Sequence, residues 1–182
     1  QTGGYFFSMM APDDGERVES PDGRRAAFAL EPPNKRAAMA VDTLGPVPPG
    51  ALFGLGSRDV LERSIGPEYD AVSGPTFSPD SRRLAYAARN GGLWRAVIDG
   101  QEGLPAEEVR GIRFSPDSKR AGYIIKESGR ERMVVDESKG RAFDAVGWLR
   151  FSPDSRGVGY TARTGAKWRA MIDDSEQAES DF

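Results

Sequence analysis

The sequence predicts an all-β chain built from about four repeat units. The five residues Phe77-Ser78-Pro79-Asp80-Ser81 recur at 114–118 and at 151–155, with a spacing of 37 residues each time. A fixed period of this length is typical of repeat architectures, in which each unit is one small supersecondary structure. Short apolar runs alternate with turn signals, and no window shows the long apolar period of a helix, so strands are expected throughout.

The first unit covers residues 18–42 and begins with an imperfect copy of the motif, Glu19-Ser20-Pro21-Asp22-Gly23. This stretch reads as a tight turn because proline, aspartate and glycine favour turn positions. The later units cover 66–102, 103–139 and 140–173, and each offers three to four short strands. The whole chain, residues 1–182, is therefore expected to be a single domain.

Residues 43–65 interrupt the repeat as an insertion of loop-like composition. Ser57–Arg63 is predicted to form a short helix with Ser57 as its N-cap. An insertion in a repeat array projects from one face, often the binding face, but it also occurs as a loop that packs on its own unit. Both interpretations are open. The apolar candidates for partner binding here are Phe53, Leu55, Val60 and Leu61.

The N-terminal stretch 1–17 contains an aromatic run and then a polar turn, which predicts one strand. This strand either pairs with the main body of repeats or presents an exposed hydrophobic arm to a partner. The candidate partner-binding residues of the arm are Tyr5, Phe6 and Phe7.

Aligning the units with each other separates turn-forming positions from core positions. The motif aspartates are predicted to form turns through hydrogen bonds to their own backbone rather than to bind a metal, since they lie in four different units. These are Asp22, Asp80, Asp117 and Asp154. A second column is aromatic and is always preceded by a small residue, as packed sheets require. It contains Phe28, Tyr86, Tyr123 and Tyr160.

A third column places arginine in mid-strand, twice directly after tryptophan. It contains Trp94-Arg95, Arg132 and Trp168-Arg169. On a structural interpretation, the arginine stems cover apolar surface and their head groups pair with carboxylates of the next unit. On a functional interpretation, the column lines a groove in which tryptophan stacks on a ligand. Trp94, Arg95, Trp168 and Arg169 are therefore further candidates for partner binding.

Composition excludes several classes of function. The chain has a net charge of −3 and a pI of about 5.2, whereas nucleic-acid binders carry a basic excess. It contains no cysteine and no histidine, so the usual thiolate and imidazole catalysts are absent. No apolar run approaches the roughly 20 residues that cross a bilayer. The first residue, Gln1, is consistent with a processed form or with a fragment. No cofactor and no metal site is predicted.

The phrase from Phe77 to Gly100, FSPDSRRLAYAA followed by WRAVIDG, resembles the PD40 or TolB-like family of WD40-like β-propeller repeats. The resemblance covers 77–173 well and 18–42 more weakly. It implies blades of four antiparallel strands, frequent location in the periplasm or at the cell surface, and use as a platform for proteins or peptides. The motif is specific for the fold and not for an activity. Cytoplasmic location stays open.

Such propellers usually have six or seven blades, and only four units are found here. One alternative is a small closed ring, in which the strand at Tyr5–Phe7 completes the last blade. The other alternative is a partial propeller that a partner completes.

The sequence favours a non-enzymatic protein-binding or scaffold subunit of a larger bacterial assembly, with other protein subunits or peptides as partners, no nucleic acid and no direct membrane span. The alternative is a carboxylate-based glycan hydrolase on a propeller scaffold, which would require two carboxyl groups about 5–9 Å apart in a central cleft. Calcium held by the aspartate turns is a further hypothesis that rests only on the number of acids.

Overall fold

The structure is a computed structural model that describes residues 17–31, 36–46 and 60–176. The predicted strand with Tyr5, Phe6 and Phe7 lies outside the described residues, as do Phe53 and Leu55. No helix in the described part of the chain is long and apolar enough to span a membrane.

The described residues form four antiparallel sheets, each made of four strands that are adjacent in chain order. The strands of the first unit are β1 (Val18–Glu19), β2 (Arg25–Leu30), β3 (Ala37–Leu44) and β4 (Val60–Tyr69). Those of the second unit are β5 (Ala71–Phe77), β6 (Leu84–Asn90), β7 (Leu93–Ile98) and β8 (Gln101–Glu102). Those of the third unit are β9 (Glu108–Phe114), β10 (Ala121–Glu127), β11 (Arg130–Val135) and β12 (Ser138–Phe143). Those of the fourth unit are β13 (Ala145–Phe151), β14 (Val158–Thr164), β15 (Lys167–Ile172) and β16 (Ser175–Glu176). The predicted all-β fold with four-stranded units is confirmed.

Two details of the sequence prediction need correction. The sheets of units 2, 3 and 4 begin at residues 71, 108 and 145, whereas the predicted units begin at 66, 103 and 140. Residues 66–69 belong to β4 and residues 140–143 to β12, so the prediction assigned the ends of these two strands to the following unit. The short helix expected over Ser57–Arg63 is also wrong for its described part, because Val60–Arg63 belong to β4 and pair with β3. Pairing with a neighbouring strand overrides the weak local preference for a helix.

The apolar core lies between consecutive sheets. Tyr86 packs with Met39 between units 1 and 2, Tyr123 packs with Ala96 between units 2 and 3, and Tyr160 packs with Met133 between units 3 and 4. Three members of the aromatic column thus pack in the described junctions, which agrees with the prediction that this column is part of the core. The small residues of each facing sheet let the rings approach closely.

The recurring motif forms the same turn in every unit. In unit 2 the buried hydroxyl of Ser78 donates to Oδ1 of Asp80 at 2.5 Å and accepts from the amide of Arg83 at 2.9 Å. The hydroxyl of Ser78 and, next, the amide of Arg82 hold the pKa of the exposed Asp80 below its usual value. Equivalent bonds occur at Asp22, Asp117 and Asp154, so the predicted role as turn formers is confirmed.

The motif and the arginine that follows it also join each unit to the next through an inter-unit clamp, which has four contacts between units 2 and 3. The Arg83 guanidinium lies 5.0 Å from the ring centre of Phe114 and donates to the carbonyl oxygens of Ser118 at 3.0 Å and Lys119 at 2.8 Å. The amide of Asp80 donates to Oγ of Ser118 at 3.0 Å. The contacts with the aromatic ring and the serine likewise join Arg25 and Asp22 to unit 2, and Arg120 and Asp117 to unit 4. The five-residue motif therefore builds both the turn and the junction.

The ends of the described array lack the clamp residues. Unit 1 has Glu19 and Gly23 where the other units have the aromatic ring and the second serine, and unit 4 has Gly157 where the others have arginine. Extensive packing joins only consecutive units among the described residues, so the four sheets are not closed into a ring. The closed four-unit ring is therefore not formed by the described sheets. Its proposed closing strand lies outside them.

Candidate binding cleft at the inner strands

The first strands of units 2, 3 and 4 lie beside one another and form the inner edge of the array. Each of them, β5, β9 and β13, carries a β-bulge at the same place in the repeat. The bulge residue has a positive φ, which is 61° at Gly74, 64° at Gly111 and 56° at Trp148. Glycine is the ordinary residue for this conformation because it has no Cβ. Unit 4 departs from the rule by placing a tryptophan there.

Trp148 is strained in its backbone and open to solvent in its side chain. An ordinary L-residue in the left-handed region costs roughly 1–2 kcal/mol compared with its preferred conformations. The side chain is 76% exposed, so burial does not offset this cost. A strained residue with a large exposed ring is a recognised indication of a functional position. Trp148 is therefore the central residue of the candidate site.

Arginines surround Trp148 in a cleft of about 660 Å³ between units 3 and 4. We call it the Trp148 cleft. Its described lining comprises Pro79, Arg110, Gly111, Arg113, Phe114, Pro116, Ile124, Trp148, Leu149, Arg150 and Phe151. The lining thus combines apolar residues with three arginines. No described lining residue is an acid.

The three arginines differ in how they are held. Arg110 donates to Oε2 of Glu131 at 2.7 Å and to the carbonyl oxygen of Val146 at 2.8 Å, so its head group is fixed. Arg113 and Arg150 are exposed and make no ion pair within the described residues. They occupy the same repeat position, directly before the motif aromatic. Two arginines without a described ion pair and an exposed tryptophan thus line the same cleft and give it a cationic and aromatic character.

The tryptophan and arginine column proposed from the sequence lies elsewhere. Arg95 approaches Glu102 at 3.5 Å and Arg132 approaches Glu127 at 3.6 Å, so the carboxylate partners are in the same unit and not in the next one. Trp94 is half-buried, whereas Trp168 is 54% exposed. Trp94, Arg95, Trp168 and Arg169 do not line the Trp148 cleft. Their role in partner binding stays a prediction.

The described candidates from the insertion lie on β4, the outer edge strand of unit 1. Val60 is 46% exposed and Leu61 is 66% exposed. They are thus accessible, but they are separated from the Trp148 cleft in the fold because the cleft is formed by units 3 and 4 with Pro79 of unit 2. Their partner-binding role also stays a prediction.

Sequence reasoning missed Trp148, although the internal alignment contained the signal. Three residues before the motif aromatic, units 2 and 3 have Gly74 and Gly111, and unit 4 has Trp148. A tryptophan in a glycine column is an anomaly that the alignment exposes without any structure. What it could not show is the positive φ that makes the substitution costly.

Among the described residues, no group of three or more acidic side chains is arranged to hold a metal ion. The residues that line the Trp148 cleft can offer apolar contact, stacking on indole and charge-assisted hydrogen bonds from guanidinium groups.

No family model matches this sequence, and no curated protein matches it. Solved structures do resemble the fold. TolB from Acinetobacter baumannii is 16% identical with a TM-score of 0.52, and the match covers 88% of this chain and 41% of TolB. The β-propeller domain of the Trilobed protease from Pyrococcus furiosus is 12% identical with a TM-score of 0.54, covering 90% of this chain and 57% of that domain.

The acylaminoacyl peptidase of Pyrococcus horikoshii is also similar, with 12% identity and a TM-score of 0.51, covering 86% of this chain and 30% of the peptidase. The chain spans about half or less of the length of these proteins. The structural similarity shows a TolB-like β-propeller fold. Because the sequence identities are so low, it shows no activity.

Proposed function

We propose that this chain is a non-enzymatic protein-binding module of a larger bacterial assembly, and that it binds an acidic segment of a partner protein in the Trp148 cleft. The observation that carries the proposal is Trp148 itself. It keeps a strained backbone and an exposed ring, and it shares its cleft with two arginines that have no described acidic partner. A residue that serves only the fold would be glycine here, as it is in units 2 and 3.

The chemistry of the cleft suits carboxylates on an extended peptide. Guanidinium groups bind carboxylates through paired, charge-assisted hydrogen bonds, and a neighbouring indole packs against the peptide between them. Tryptophan and arginine are also the residue types most often found at binding hot spots. Arg110 is already fixed by Glu131, so one wall of the cleft is preorganised before a partner arrives.

The cleft is cationic although the chain as a whole carries a net charge of −3. A local field of opposite sign to the net charge favours partners that approach this one surface, and it raises the association rate at low salt. The resemblance to PD40 or TolB-like repeats supports membership in that family and a periplasmic or surface location. A glycan-hydrolase role is not proposed, since no described residue of the cleft supplies a carboxyl group.

The test is a binding measurement with two short labelled peptides, one rich in aspartate and glutamate and one of equal length rich in lysine. Fluorescence anisotropy of each peptide is followed as the protein is added at several salt concentrations. We expect the acidic peptide alone to bind, with an affinity that falls as salt rises. Trp148→Gly should weaken binding by about tenfold or more, as expected when a hot-spot aromatic is removed.

The matched controls are Trp168→Ala, which removes an exposed indole outside the cleft, and Arg113→Lys paired with Arg113→Ser. Loss of binding with serine and partial retention with lysine would show that charge and geometry both matter. Equal binding of both peptides, or equal affinities of Trp148→Gly and Trp168→Ala, would overturn the proposal.

A further inference from the structure

Two side chains of unit 3 hold the backbone of unit 4 at Val146, two residues before Trp148. Oε2 of Glu131 accepts a hydrogen bond from the Val146 amide at 2.5 Å, and Arg110 donates to the Val146 carbonyl oxygen at 2.8 Å. The same Oε2 accepts from Arg110 at 2.7 Å, so the two side chains also fix each other. Both polar groups of one buried residue are therefore bound by side chains, in the way that a neighbouring strand would bind them.

A third side chain binds the next residue of the same strand. Thr161 on β14 donates through Oγ1 to the carbonyl oxygen of Gly147 at 3.1 Å. The pairing of β13 with β14 shifts register directly after this point, at the bulge that contains Trp148. Three side chains thus hold the backbone immediately before the residue with the positive φ. We call Glu131, Arg110 and Thr161 the brace.

The preceding junction, between units 2 and 3, carries none of the three brace residues. One repeat earlier, the positions of Arg110, Glu131 and Thr161 are occupied by Ser73, Trp94 and Ile124. Tryptophan has no acceptor for a backbone amide, isoleucine has no hydroxyl and serine has no guanidinium group. The bulge residue of unit 3 is Gly111, which adopts a positive φ without steric cost. The strained tryptophan therefore occurs together with the brace, and glycine occurs where the brace is missing.

The joint occurrence has a physical reason. A residue with a Cβ is disfavoured in the left-handed region, so an unsupported bulge at Trp148 would move to other backbone conformations. Burial of the ring does not prevent this, because the side chain is 76% exposed. Hydrogen bonds that fix the preceding peptide groups limit how far the bulge can rearrange. The support for the exposed ring therefore comes from the backbone beneath it.

We propose that the brace positions Trp148 for the acidic partner, which makes Glu131 and Thr161 positioning residues of the binding site although neither is part of the described lining of the Trp148 cleft. The inference rests on the proposed function for the identity of the ligand, whereas the position of the ring can be measured without any ligand. Apparent affinity scales with the population of the binding-competent conformer. Loss of the brace therefore weakens binding although the residues that contact the partner are unchanged.

The experiment follows the indole of Trp148 in a chain where it is the only tryptophan. The sequence contains three tryptophans, so Trp94→Phe and Trp168→Phe leave Trp148 as the single indole fluorophore. Time-resolved fluorescence anisotropy, recorded without peptide, separates tumbling of the whole protein from nanosecond motion of the ring. In this parent chain we expect restricted ring motion together with ready access to a water-soluble quencher.

Glu131→Ala removes the acceptor of the Val146 amide and leaves Arg110 without its ion pair. We expect the amplitude of fast ring motion to rise at least about twofold and the affinity for the acidic peptide to fall by about fivefold or more. Glu131→Gln keeps an acceptor for the amide, so both of its values should lie between those of the parent and Glu131→Ala. Thr161→Val removes one hydroxyl with little change of shape and should raise the ring motion by a smaller amount.

The matched controls alter the same residue types outside the brace. Glu127→Ala removes a glutamate whose described ion pairs are with Lys139 and Arg132 of its own unit. Thr164→Val removes an exposed hydroxyl from the same strand as Thr161. Both controls should leave the ring motion and the peptide affinity unchanged. Urea denaturation of every variant shows which ones are folded under the conditions of the measurement.

The two readouts separate the brace from the proposed function. Unchanged ring motion in folded Glu131→Ala and Thr161→Val would overturn the brace, even if the parent chain binds the acidic peptide. Increased ring motion with undiminished affinity would overturn its role in binding. If the parent chain binds no acidic peptide, the proposed function and the role of the brace in binding it both fail, and the ring motion still decides whether the brace positions Trp148. If Glu131→Ala does not fold, Glu131→Gln and Thr161→Val decide the outcome by the same measurements.

Discussion

Units 2 and 4 have almost the same strands but differ where each meets its surroundings. Both have the motif turn, the aromatic column residue and a strand from tryptophan to aspartate that differs only at Val97 and Met171. Unit 2 carries Gly74 at the inner bulge and Arg83 in the clamp, and its following face is covered. Unit 4 carries Trp148 and Gly157 at these positions, and its following face is open. The residues that both units share are those that build the sheet. We infer that the positions where the two units differ serve contacts outside the sheet.

The largest loss of stability is expected when Arg83 of unit 2 is replaced by glycine, the residue that unit 4 has at this repeat position. Arg83→Gly removes the stacking on Phe114 and the hydrogen bonds to the carbonyl oxygens of Ser118 and Lys119. Each such bond contributes about 1 kcal/mol and the stacking contributes a similar amount, so we expect the free energy of unfolding to fall by about 3 kcal/mol. Urea denaturation followed by circular dichroism measures it.

The control for that substitution is the reverse change, Gly157→Arg. A Cβ at Gly157 would make only ordinary van der Waals contacts, the nearest at 3.5 Å. Because no sheet follows unit 4 among the described residues, we expect the arginine to gain only an exposed pair with Asp173, and stability should change by less than about 1 kcal/mol. Equal and opposite effects of the two substitutions would show that the clamp does not depend on the next unit.

The second prediction removes one hydroxyl from the junction between units 2 and 3. Ser118→Ala leaves the Asp80 amide without its acceptor in a buried position, while the backbone and Cβ are unchanged. We expect a loss of about 1–2 kcal/mol in the free energy of unfolding. Ser128→Ala is the matched control, since Ser128 also has a positive φ but is exposed in a hairpin turn. A control variant that loses as much stability would refute the inter-unit role.

The third prediction concerns the stability of the folded protein at acidic pH. The pKa of Asp80 is lowered from 3.8 by the Ser78 hydroxyl and the Arg82 amide, so its charged form is favoured in the folded protein. The resulting stability is present above pH 3.8 and is lost as the pH falls through the lowered folded pKa. Asp80→Asn should therefore lose less stability than the parent chain between neutral pH and about pH 3. If the urea midpoints of the parent chain and of Asp80→Asn fell by the same amount over this pH range, the prediction would be contradicted.

How far the sequence predicts this molecule is clear from the same two units. The period, the turn and the aromatic column follow from residue identity, because proline, glycine and alternating apolar residues have local preferences that each unit repeats. The role of Arg83 as a link to Phe114 did not follow, since the two residues meet only when the sheets stack. The sequence interpretation instead selected Trp168 and Arg169, which are conspicuous in the strand pattern.

The candidate site was missed for a related physical reason. Trp148 is unusual only relative to Gly74 and Gly111, and its meaning depends on a backbone angle that a sequence does not display. The insertion was similarly misjudged at Val60–Arg63, where pairing with β3 determines the conformation. Pairing with a strand distant in sequence and a backbone angle, rather than local residue preferences, account for these differences.

The smallest effect on stability is expected at the inner bulge, where unit 4 can be given the residue of unit 2. Trp148→Gly relieves the left-handed strain, but glycine gains flexibility in the unfolded chain, so the two effects nearly cancel. The free energy of unfolding should rise by less than about 1 kcal/mol while acidic-peptide binding weakens by about tenfold or more. Gly111→Trp in unit 3 is the converse variant, and it should destabilise the chain by about 1 kcal/mol. If Trp148→Gly instead unfolded the protein at lower urea, the ring would be part of the core, and its exposure would no longer indicate a binding role.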